Sequence, residues 1–506
     1  MSQTTREKSG QESFNPLKFS IFSSQSNDLV KTSFKGGILV FFFISLVLVV
    51  YSIFTSQPRW FFCTQCPNPV PDTSTVVCDP VEIKQEEENP NSELTNITHI
   101  VFGIGGSTQT WNRRSNYSAL WWQPNITRGF VWLDKEPYPF SPWPENSPPY
   151  RVSSNWTRFK YTSSQSAVRL ARIVVDSFRV GLPDVRWFVM GDDDTVFFTD
   201  NLVTTLAKYD HRRMYYVGGN SESVEQNVMH SYDMAFGGGG FAISYPLAAE
   251  LVRIMDGCLD RYYNFYGSDQ RVWACVKELG VSLTRERGFH QIDIRGDLFG
   301  LLAAHPMVPL VSLHHLDEVK PLLPNLNQHE SLRKLIQAYH ADPAQIMQQC
   351  FCYHRRYKWS VSISWGYAVQ IYPSLLSPEE LEKPLQTFKT WRSWSNGPFT
   401  FNTRAVNPDE CERPAVYYLD SIGEDGKGGT VTSYRKFVDE PKKRCLRPYF
   451  NHITAIERIQ VSALKMDHKE WKHPRSRREC CEIKSSKSGT VKLKIRRCSH
   501  RESITP

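Results

Sequence analysis

Two absences mark the amino-terminal part of this 506-residue chain. No cysteine precedes Cys63, although the chain contains 12. No charged residue interrupts residues 36–54, where Ile, Leu, Val and Phe dominate. At a rise of about 1.5 Å per residue, a helix of this length nearly spans a hydrocarbon core of roughly 30 Å. The sequence therefore predicts a single transmembrane helix over 36–54.

A signal-peptide cleavage site is also lacking. Residues 57–60, Gln-Pro-Arg-Trp, do not offer the small residues that such a site requires. Lys31 and Lys35 precede the span and only Arg59 follows it closely, which keeps the amino terminus in the cytoplasm. We therefore expect a cytoplasmic tail over 1–35, an uncleaved signal anchor, and a single-pass type II protein of the Golgi membrane.

The segment after the anchor has few residues that could form a core. Residues 55–94 contain six prolines and an acidic run, a composition typical of an extended stem. Cys63, Cys66 and Cys78 lie in this stem. They either link two stems in a homodimer or form a local bridge, and the sequence leaves both alternatives open.

Glycosylation and disulfide signals are confined to the part after the anchor. The chain carries four Asn-x-Ser/Thr sequons, at Asn96, Asn116, Asn125 and Asn155. Seven of the 12 cysteines fall within residues 350–498. A secretory lumen permits both modifications. The sequence therefore predicts a disulfide-bonded glycoprotein in the lumen.

Alternation of strands and helices begins near residue 95. Strands are predicted over 99–104 and 129–134, a helix over 163–178, and a third strand over 187–190. Such alternation implies an α/β domain with a mostly parallel sheet. We place this domain at 95–325.

The strand over 187–190 runs into three consecutive acids, Asp192, Asp193 and Asp194, after Gly191. Ligands of open α/β sheets bind at this end of a strand. Three adjacent carboxylates beside apolar residues are costly without a cation, and a divalent ion suits their oxygens. A solvated acidic turn is the alternative, but the apolar residues on both sides favour a metal site.

Three further motifs follow the acidic run. Gly237–Gly240 lie between Phe236 and Phe241, which favours a tight turn with close backbone approach to a ligand over a loose linker. Asp269 falls in the first turn of a predicted helix, where the macrodipole keeps a carboxylate ionised, although capping alone would explain it. Several histidines follow, and one of them could complete an Asp/His metal site. They are His290, His305, His314 and His315.

The character of the chain changes after a predicted helical connector at 326–349. Alternating runs such as 359–365 and 491–497 predict strands, and we expect a mostly β domain over 350–506, a disulfide-bridged β-sandwich. Residues 431–506 hold 20 Lys and Arg against 8 Asp and Glu. A lumenal location argues against nucleic acid as a partner, so acidic glycans, lipid headgroups or a solvated basic face remain.

The motifs of residues 95–325 resemble those of the Fringe-like β-1,3-glycosyltransferases, in particular the plant Fringe-related group. The strand ending in Asp192-Asp193-Asp194, the turn over 236–244, Gly267-Ser268-Asp269-Gln270 and Phe289-His290 match that family in order and spacing. The resemblance implies a GT-A fold, a doubly wound α/β sheet. It also implies transfer of a sugar from a nucleotide-sugar donor, a UDP-sugar, to a hydroxyl of a glycan or glycoprotein acceptor.

The resemblance assigns roles to individual residues. Asp194 and His290 would ligate Mn²⁺ or another divalent cation, and Asp269 would be the catalytic base of an inverting transfer. The residues expected to contact the nucleotide sugar are Asp192, Asp193, Arg113, Gly238 and Gly239. Two departures concern the acceptor pocket: Gln270 stands where the family often has an acid, and Gln291 follows His290 where animal members have a second His.

A phosphatase and a glycan-binding protein are the two alternatives to a sugar-transferring enzyme. The Asp192-x-Asp194-x-Val196 pattern also suits a haloacid-dehalogenase-type phosphatase, but 296–299 lack the acidic pair that such an enzyme needs downstream. A catalytically silent, lectin-like membrane protein is the second alternative. Loss of the acidic run or of Asp269 would favour it, and both are present.

Overall fold

The fold is described from a computed structural model that covers most of the chain after residue 93. The described residues are 45, 46, 48, 94–137, 142–161, 164–438, 445, 452–473, 475 and 477–506. Among them, no helix has the length and apolar character of a membrane span. The predicted tail, the stem cysteines and the predicted anchor lie outside the described residues, except for three anchor residues, which are helical. Residues 88–506 form one compact unit.

Strands and helices alternate up to residue 324, as the sequence predicts. The strands are β1 (Ile100–Gly105), β2 (Arg128–Leu133), β3 (Tyr150–Val152), β4 (Trp187–Asp192), β5 (Val196–Phe197), β6 (Tyr216–Gly218), β7 (Phe241–Ser244), β8 (Leu283–Arg285), β9 (Phe289–His290), β10 (Ile294–Gly296) and β11 (Ser312–Leu313). The helices are α1 (Trp111–Ser118), α2 (Gln165–Ala171), α3 (Ile173–Arg179), α4 (Thr199–Leu206), α5 (Val224–Met229), α6 (Tyr245–Arg261), α7 (Ser268–Glu278) and α8 (Phe299–Ala303).

Seven of these strands form the main sheet, in the order β3-β2-β1-β4-β7-β6-β8. Strands β3, β2, β1 and β4 are parallel, β7 is antiparallel to β4 and β6, and β8 is parallel to β6. The sheet is therefore mostly parallel, as predicted. The helix predicted over 163–178 is divided at Arg172 into α2 and α3.

The sheet is covered on both faces. Trp187 and Val189 of β4 pack into one hydrophobic cluster, and Phe188 and Met190 pack into another. Since successive strand residues point to opposite faces, both faces of β4 are buried, which explains its uninterrupted apolar sequence. The expected doubly wound arrangement is confirmed for this sheet.

The rest of the chain is mostly β. Its elements are α9 (Gln328–Ala341), β12 (Gln349–His354), β13 (Trp359–Ser364), β14 (Ala368–Tyr372), α10 (Pro378–Glu382), β15 (Phe388–Thr390), β16 (Ala415–Glu424), β17 (Gly429–Lys436), β18 (Arg458–Leu464), β19 (Cys480–Lys487) and β20 (Thr490–Arg496). Eight strands close a barrel in the order β12-β13-β14-β16-β17-β18-β20-β19. The predicted sandwich is wrong, because β12 pairs with β19 and β18 pairs with β20, which removes the sheet edges.

Four disulfides are present among the described residues. Cys258–Cys275 joins α6 to α7, and the other three lie in the carboxyl-terminal part: Cys352–Cys481, Cys411–Cys445 and Cys480–Cys498. The predicted disulfide bonding is thus confirmed for eight of the cysteines.

The sheet and the barrel share contacts and a hydrophobic core. The Ser364 hydroxyl donates to the Leu302 carbonyl at 3.0 Å, and Trp471 Nε1 donates to the Ala344 carbonyl at 3.0 Å. A single cluster of buried side chains includes Phe102 of the sheet and Val461 of the barrel. The two parts are therefore packed as one body.

The sequon asparagines lie at or near the surface. Asn116, Asn125 and Asn155 are exposed, whereas Asn96 is half-buried and its side chain accepts a hydrogen bond from the Thr98 amide at 2.9 Å. Glycosylation stays a prediction. On exposure alone we expect Asn116, Asn125 and Asn155 to be the better acceptors.

Candidate active site

The acidic run lies at the carboxyl end of β4, beside the end of β1. Asp192 is the last residue of β4 and is paired with Gly105 of β1. The Thr195 amide donates to the Asp192 carbonyl at 3.0 Å, and the Asp192 amide donates to the Thr195 hydroxyl at 2.8 Å. The chain therefore turns sharply here, and the turn presents three carboxylates at one point of the sheet edge.

Asp194 is buried, with 1% of its surface exposed. His314 Nε2 lies 3.2 Å from its Oδ1, and Arg114 Nη2 lies 3.1 Å from its Oδ2. Each oxygen is therefore at ion-pair distance from one cationic side chain. Burial alone would raise the pKa of this carboxyl, but the charges of His314 and Arg114 hold it below its ordinary value. Asp194 is thus a buried carboxylate that is kept ionised by its cationic neighbours.

His314 completes a group that could hold a metal. Its Nε2 lies 3.8 Å from Asp192 Oδ2, and one ligand atom from each of Asp192, Asp194 and His314 falls within 4.8 Å of the others. Its Nδ1 lies 3.2 Å from the Gln291 carbonyl. A proton on Nδ1 would make that hydrogen bond and leave the Nε2 lone pair facing the acids, as metal-binding imidazoles require.

The carboxylates also affect the protonation of His314. Burial would lower the pKa of His314, but the charges of Asp194 and Asp192 raise it to about 9. Burial raises the pKa of Asp192 to about 7. Without a cation, His314 therefore carries a proton that balances the acids. A divalent ion at the same place would replace that proton.

His290, expected to ligate the metal with Asp194, lies elsewhere. Its Nδ1 is 3.0 Å from Glu222 Oε1 and its Nε2 is 3.0 Å from His305 Nε2. Both ring nitrogens are therefore engaged away from the acidic run. The physical reason is the pairing of β9 with β11, which places His290 beside Leu313, one residue before His314.

Arg114, and not the predicted Arg113, reaches the acidic run. Its Nη1 donates to Asp193 Oδ1 at 3.0 Å, and its Nε lies 3.4 Å from Asp317 Oδ2. The Thr110 hydroxyl donates to Asp193 as well. Arg113 is exposed on the same helix. Adjacent helical residues point about 100° apart, so only one of the two arginines can face the site.

The glycine turn, residues 237–240, contacts several other residues of the site. The Thr195 hydroxyl donates to the Gly238 carbonyl at 2.7 Å, and the Gly239 amide donates to Gln291 Oε1 at 2.6 Å. A Cβ on Gly238 would lie 2.0 Å from His314 Cε1. The turn must therefore be glycine for the His314 ring to fit, and the close approach seen here is to His314. The predicted approach of this turn to a ligand stays a prediction.

Asp269 lies at the start of α7 against the same turn. Its Oδ2 accepts a hydrogen bond from the Gly237 amide at 2.9 Å, and its Oδ1 accepts one from the Ser268 hydroxyl at 3.0 Å. Burial raises the pKa of Asp269 above that of an ordinary carboxyl, although these two donors oppose the rise. Its charge also acts on Asp192. The candidate base and the metal group are thus neighbours.

Family comparisons agree with this geometry. Residues 226–481, about half of the chain, match the family described as "Protein of unknown function, DUF604". The chain belongs to this family. Residues 135–298 also match the Fringe-like family model, which confirms the resemblance drawn from the motifs and supports glycosyltransferase activity. The Fringe-like match covers the acidic run and Asp269 but ends before His314, whereas the DUF604 match includes His314.

Other comparisons add little to the family assignment. No curated protein matches this DUF604 chain. Among solved structures, 31 chains match. One is the crystal structure of the catalytic domain of Drosophila beta1,4galactosyltransferase 7 in complex with xylobiose, at 13% identity over 37% of this chain and 64% of that one, with a TM-score of 0.22. The chain thus spans less than two thirds of that structure.

The sequence names His314 among four candidate histidines, the resemblance chooses His290 instead, and Arg114 is not among the predicted site residues. The structure brings together Asp192, Asp193, Asp194, Gly238 and Asp269, as predicted. His314 and Arg114 replace His290 and Arg113 at the acidic run. The Leu313-His314-His315 motif carried the signal for His314, since it follows the acidic run in the chain and ends a short buried strand.

Proposed function

We propose that this protein is a metal-dependent, inverting glycosyltransferase that takes its sugar from a nucleotide-sugar donor, a UDP-sugar. One observation carries the proposal: Asp192, Asp194 and His314 each place one ligand atom within 4.8 Å of the others, and Asp194 is buried. A buried cluster of carboxylates is costly unless cations compensate it. The site lies at the carboxyl end of β4, where open α/β sheets bind ligands.

Asp192, Asp194 and His314 would hold the divalent cation, which we propose is Mn²⁺. Two carboxylates and an imidazole suit such an ion. When bound, it would neutralise the negative charge of the departing diphosphate. Asp193 is held by Arg114 and the Thr110 hydroxyl, on the side of β1. We assign this side, with Gly238 and Gly239, to the nucleotide sugar.

Asp269 would act as the general base. Its raised pKa brings it closer to neutral pH than an ordinary carboxyl, which suits a group that must accept a proton and later release it. The acceptor hydroxyl transfers its proton to an Asp269 oxygen while its own oxygen bonds to the anomeric carbon. The bond from that carbon to the diphosphate breaks, and the nucleoside diphosphate leaves. A single displacement inverts the anomeric centre without an enzyme nucleophile.

The cellular setting and linkage belong to the same proposal. We propose a type II protein anchored by residues 36–54 in the Golgi membrane, with a glycan or glycoprotein as acceptor and a β-1,3 linkage as product. The apolar stretch, the exposed sequons and the disulfides support a lumenal location. The Fringe-like match supports the linkage class.

The test is a screen of nucleotide sugars for hydrolysis by the full-length protein, with and without Mn²⁺. Hydrolysis needs no acceptor, since water can take the place of the hydroxyl. We expect one nucleotide sugar to be cleaved only with the metal, and NMR of the released sugar to show inversion. Failure of every nucleotide sugar, or metal-independent cleavage, would contradict the proposal.

Asp269→Asn tests the base in the same assay. An asparagine keeps an oxygen that can accept the hydrogen bond from the Gly237 amide, so the start of α7 should keep its fold. Donor affinity, measured by calorimetry with Mn²⁺, should be retained, because Asp269 is not one of the three residues that would hold the metal. Turnover should fall by a factor on the order of 100 to 10,000, as is typical when a general base is removed. Retained turnover would place the base elsewhere.

A further inference from the structure

A loop rich in tryptophan borders the site and is not used by the mechanism above. Residues 391–397, here called the tryptophan loop, follow β15, which pairs with β10 through Ile294 and Thr390. The loop lies inside the DUF604 match and beyond the end of the Fringe-like match. It is therefore an addition to the Fringe-like part of the chain.

Trp391 links the tryptophan loop to the metal group through contacts with His315. The His315 ring stacks on Trp391 with centroids 4.7 Å apart and planes 7° apart, and the Arg295 guanidinium lies 3.8 Å from the Trp391 ring centre. The His315 ring in turn lies 3.9 Å from that of His314. One end of the loop is thus two rings away from a candidate metal ligand.

Backbone hydrogen bonds hold the start of the loop, and the segment after it, against α5 and the residues before α5. The Arg392 amide, next to Trp391, donates to Glu225 of α5 at 3.1 Å, and the Thr400 amide, three residues after the loop, donates to the Glu222 carbonyl at 3.0 Å. His230, directly after α5, packs its ring 5.9 Å from that of Phe236. Phe236 precedes the Gly237 amide that holds Asp269. The loop is therefore anchored to the metal group through Trp391 and to α5 through Arg392.

Trp394 is the exposed member of the loop. It is 61% exposed, although it is a large apolar side chain. Its backbone is left-handed, with φ of 53°, which is unfavourable for a bulky residue. Buried Thr390 enforces this turn, since it donates its amide to the Ser395 carbonyl at 3.0 Å and accepts from the Ser395 amide at 2.9 Å. Such strain at a functional site commonly serves to present a side chain.

We propose that Trp394 is a stacking platform for a pyranose ring of the acceptor glycan. An aromatic face is electron-rich, so the C–H bonds of a sugar ring pack against it, and an indole offers the largest such face. The Arg295 guanidinium lies against both Trp391 and Trp394, 5.7 Å from the Trp394 ring centre, so the exposed indole is held next to the residue that stacks on His315. This inference rests on the proposed function and names the acceptor-binding residue.

The test uses the full-length protein and two Trp394 variants. Binding is measured on an array of neutral and acidic oligosaccharides of defined linkage, and the best-bound oligosaccharide is then titrated by calorimetry. Trp394→Ala should weaken its binding by roughly tenfold, while Trp394→Phe should retain most of it, because a smaller aromatic face remains. Leu464→Ala is the control, since Leu464 is 63% exposed on the barrel.

Mn²⁺-dependent donor hydrolysis separates the two proposals. Trp394→Ala should leave the donor KM and the hydrolysis rate unchanged. A raised donor KM would mean that Trp394 stacks on the nucleobase and would overturn the proposal. Oligosaccharide binding that is unchanged in Trp394→Ala would also overturn it. So would a lack of oligosaccharide binding by the unsubstituted protein. Absence of hydrolysis with oligosaccharide binding that depends on Trp394 would contradict the proposed transferase and leave the platform standing.

Discussion

A buried carboxylate is one of the costlier groups in a folded protein unless cations compensate it. Asp194 is such a group, and His314 and Arg114 lie 3.2 and 3.1 Å from its two oxygens. A small divalent ion would contact the carboxylate oxygens directly. The placement of one side chain thus favours a metal site more strongly than the acidic run as a whole.

Removal of the Asp194 charge should abolish stabilisation by metal. A ligand that binds only the folded state raises stability by about 2.7 kcal/mol at 100 times its Kd. We expect millimolar Mn²⁺ to raise the unfolding temperature of the unsubstituted protein and to have no effect on Asp194→Asn. The control is Asp200→Asn, a nearby exposed acid, which should keep the shift. Equal shifts in both variants would refute the role of Asp194.

Metal binding should strengthen as pH rises. The pKa of His314 is raised to about 9, so the metal-free site holds a proton below that pH, and the metal must displace it. With the His314 proton released, the apparent affinity for Mn²⁺ should rise about tenfold per pH unit between roughly pH 7 and pH 9, and more steeply below pH 7, where Asp192 also binds a proton. Titrations at several pH values measure this slope. An affinity independent of pH would show that His314 is not a ligand.

At the acidic run, Arg114 and His314 stand where the resemblance predicts Arg113 and His290, and both differences have a geometric cause. Arg113 and Arg114 are adjacent, and only the turn angle of α1 decides which one faces Asp193. His290 and Leu313 are register partners on β9 and β11, so the candidate metal ligand His314 is the residue after that partner. Sequence patterns report residue types and spacing along the chain, whereas strand register depends on tertiary packing.

The glycine turn is the element that couples the metal group to the base. It contacts His314 through Gly238 and Asp269 through Gly237, and its one left-handed residue is Gly240, with φ of 85°. A side chain at Gly238 would overlap the His314 ring. The position of the His314 ring therefore depends on the glycine at position 238.

Gly238→Ala should disable the metal group without unfolding the protein. The added Cβ would lie 2.0 Å from His314 Cε1, so the ring must move away from Asp194. Mn²⁺ should then no longer raise the unfolding temperature. Gly257→Ala in α6 is the control, since its Cβ would meet only the flexible end of Arg261 at 3.3 Å. We expect it to keep metal binding and to gain about 0.5–1 kcal/mol of stability.

Most elements of the sheet could be predicted, because their apolar patterns are local. Strand β4 is buried on both faces and reads as an apolar run, and α7 ends just before Gly280, which takes a left-handed φ of 73°. Closure of the barrel could not be predicted. It depends on pairing between β12 and β19, which are more than 120 residues apart and have no local signal for each other.

The molecule after residue 88 is built around a core that the sheet and the barrel share. Gln348 Nε2 of the barrel part donates to the Val308 carbonyl at 2.8 Å, and Gln349 Nε2 donates to the Ala303 carbonyl at 3.3 Å. The barrel also supplies α10 and the segment that carries the tryptophan loop. The α/β part therefore depends on the barrel part to cover some of its buried side chains.

Removal of the barrel should show that the α/β part depends on it for folding. We expect residues 88–345, expressed alone, to be insoluble or partly folded, and the full chain to unfold in a single calorimetric transition. Loss of the barrel would uncover the buried side chains of α8 and α9. A soluble truncated fragment with a sharp transition and Mn²⁺ binding would show that the α/β part folds independently.

The most direct measurement compares two histidines in one assay. His314→Asn and His290→Asn are made in the full-length protein, and Mn²⁺-dependent hydrolysis of the nucleotide sugar found by the screen is measured for each. If Asp192, Asp194 and His314 hold the metal, His314→Asn should lose this hydrolysis while His290→Asn, which lies with Glu222 and His305, should retain it. Loss of hydrolysis in His290→Asn with full activity in His314→Asn would contradict the site described above.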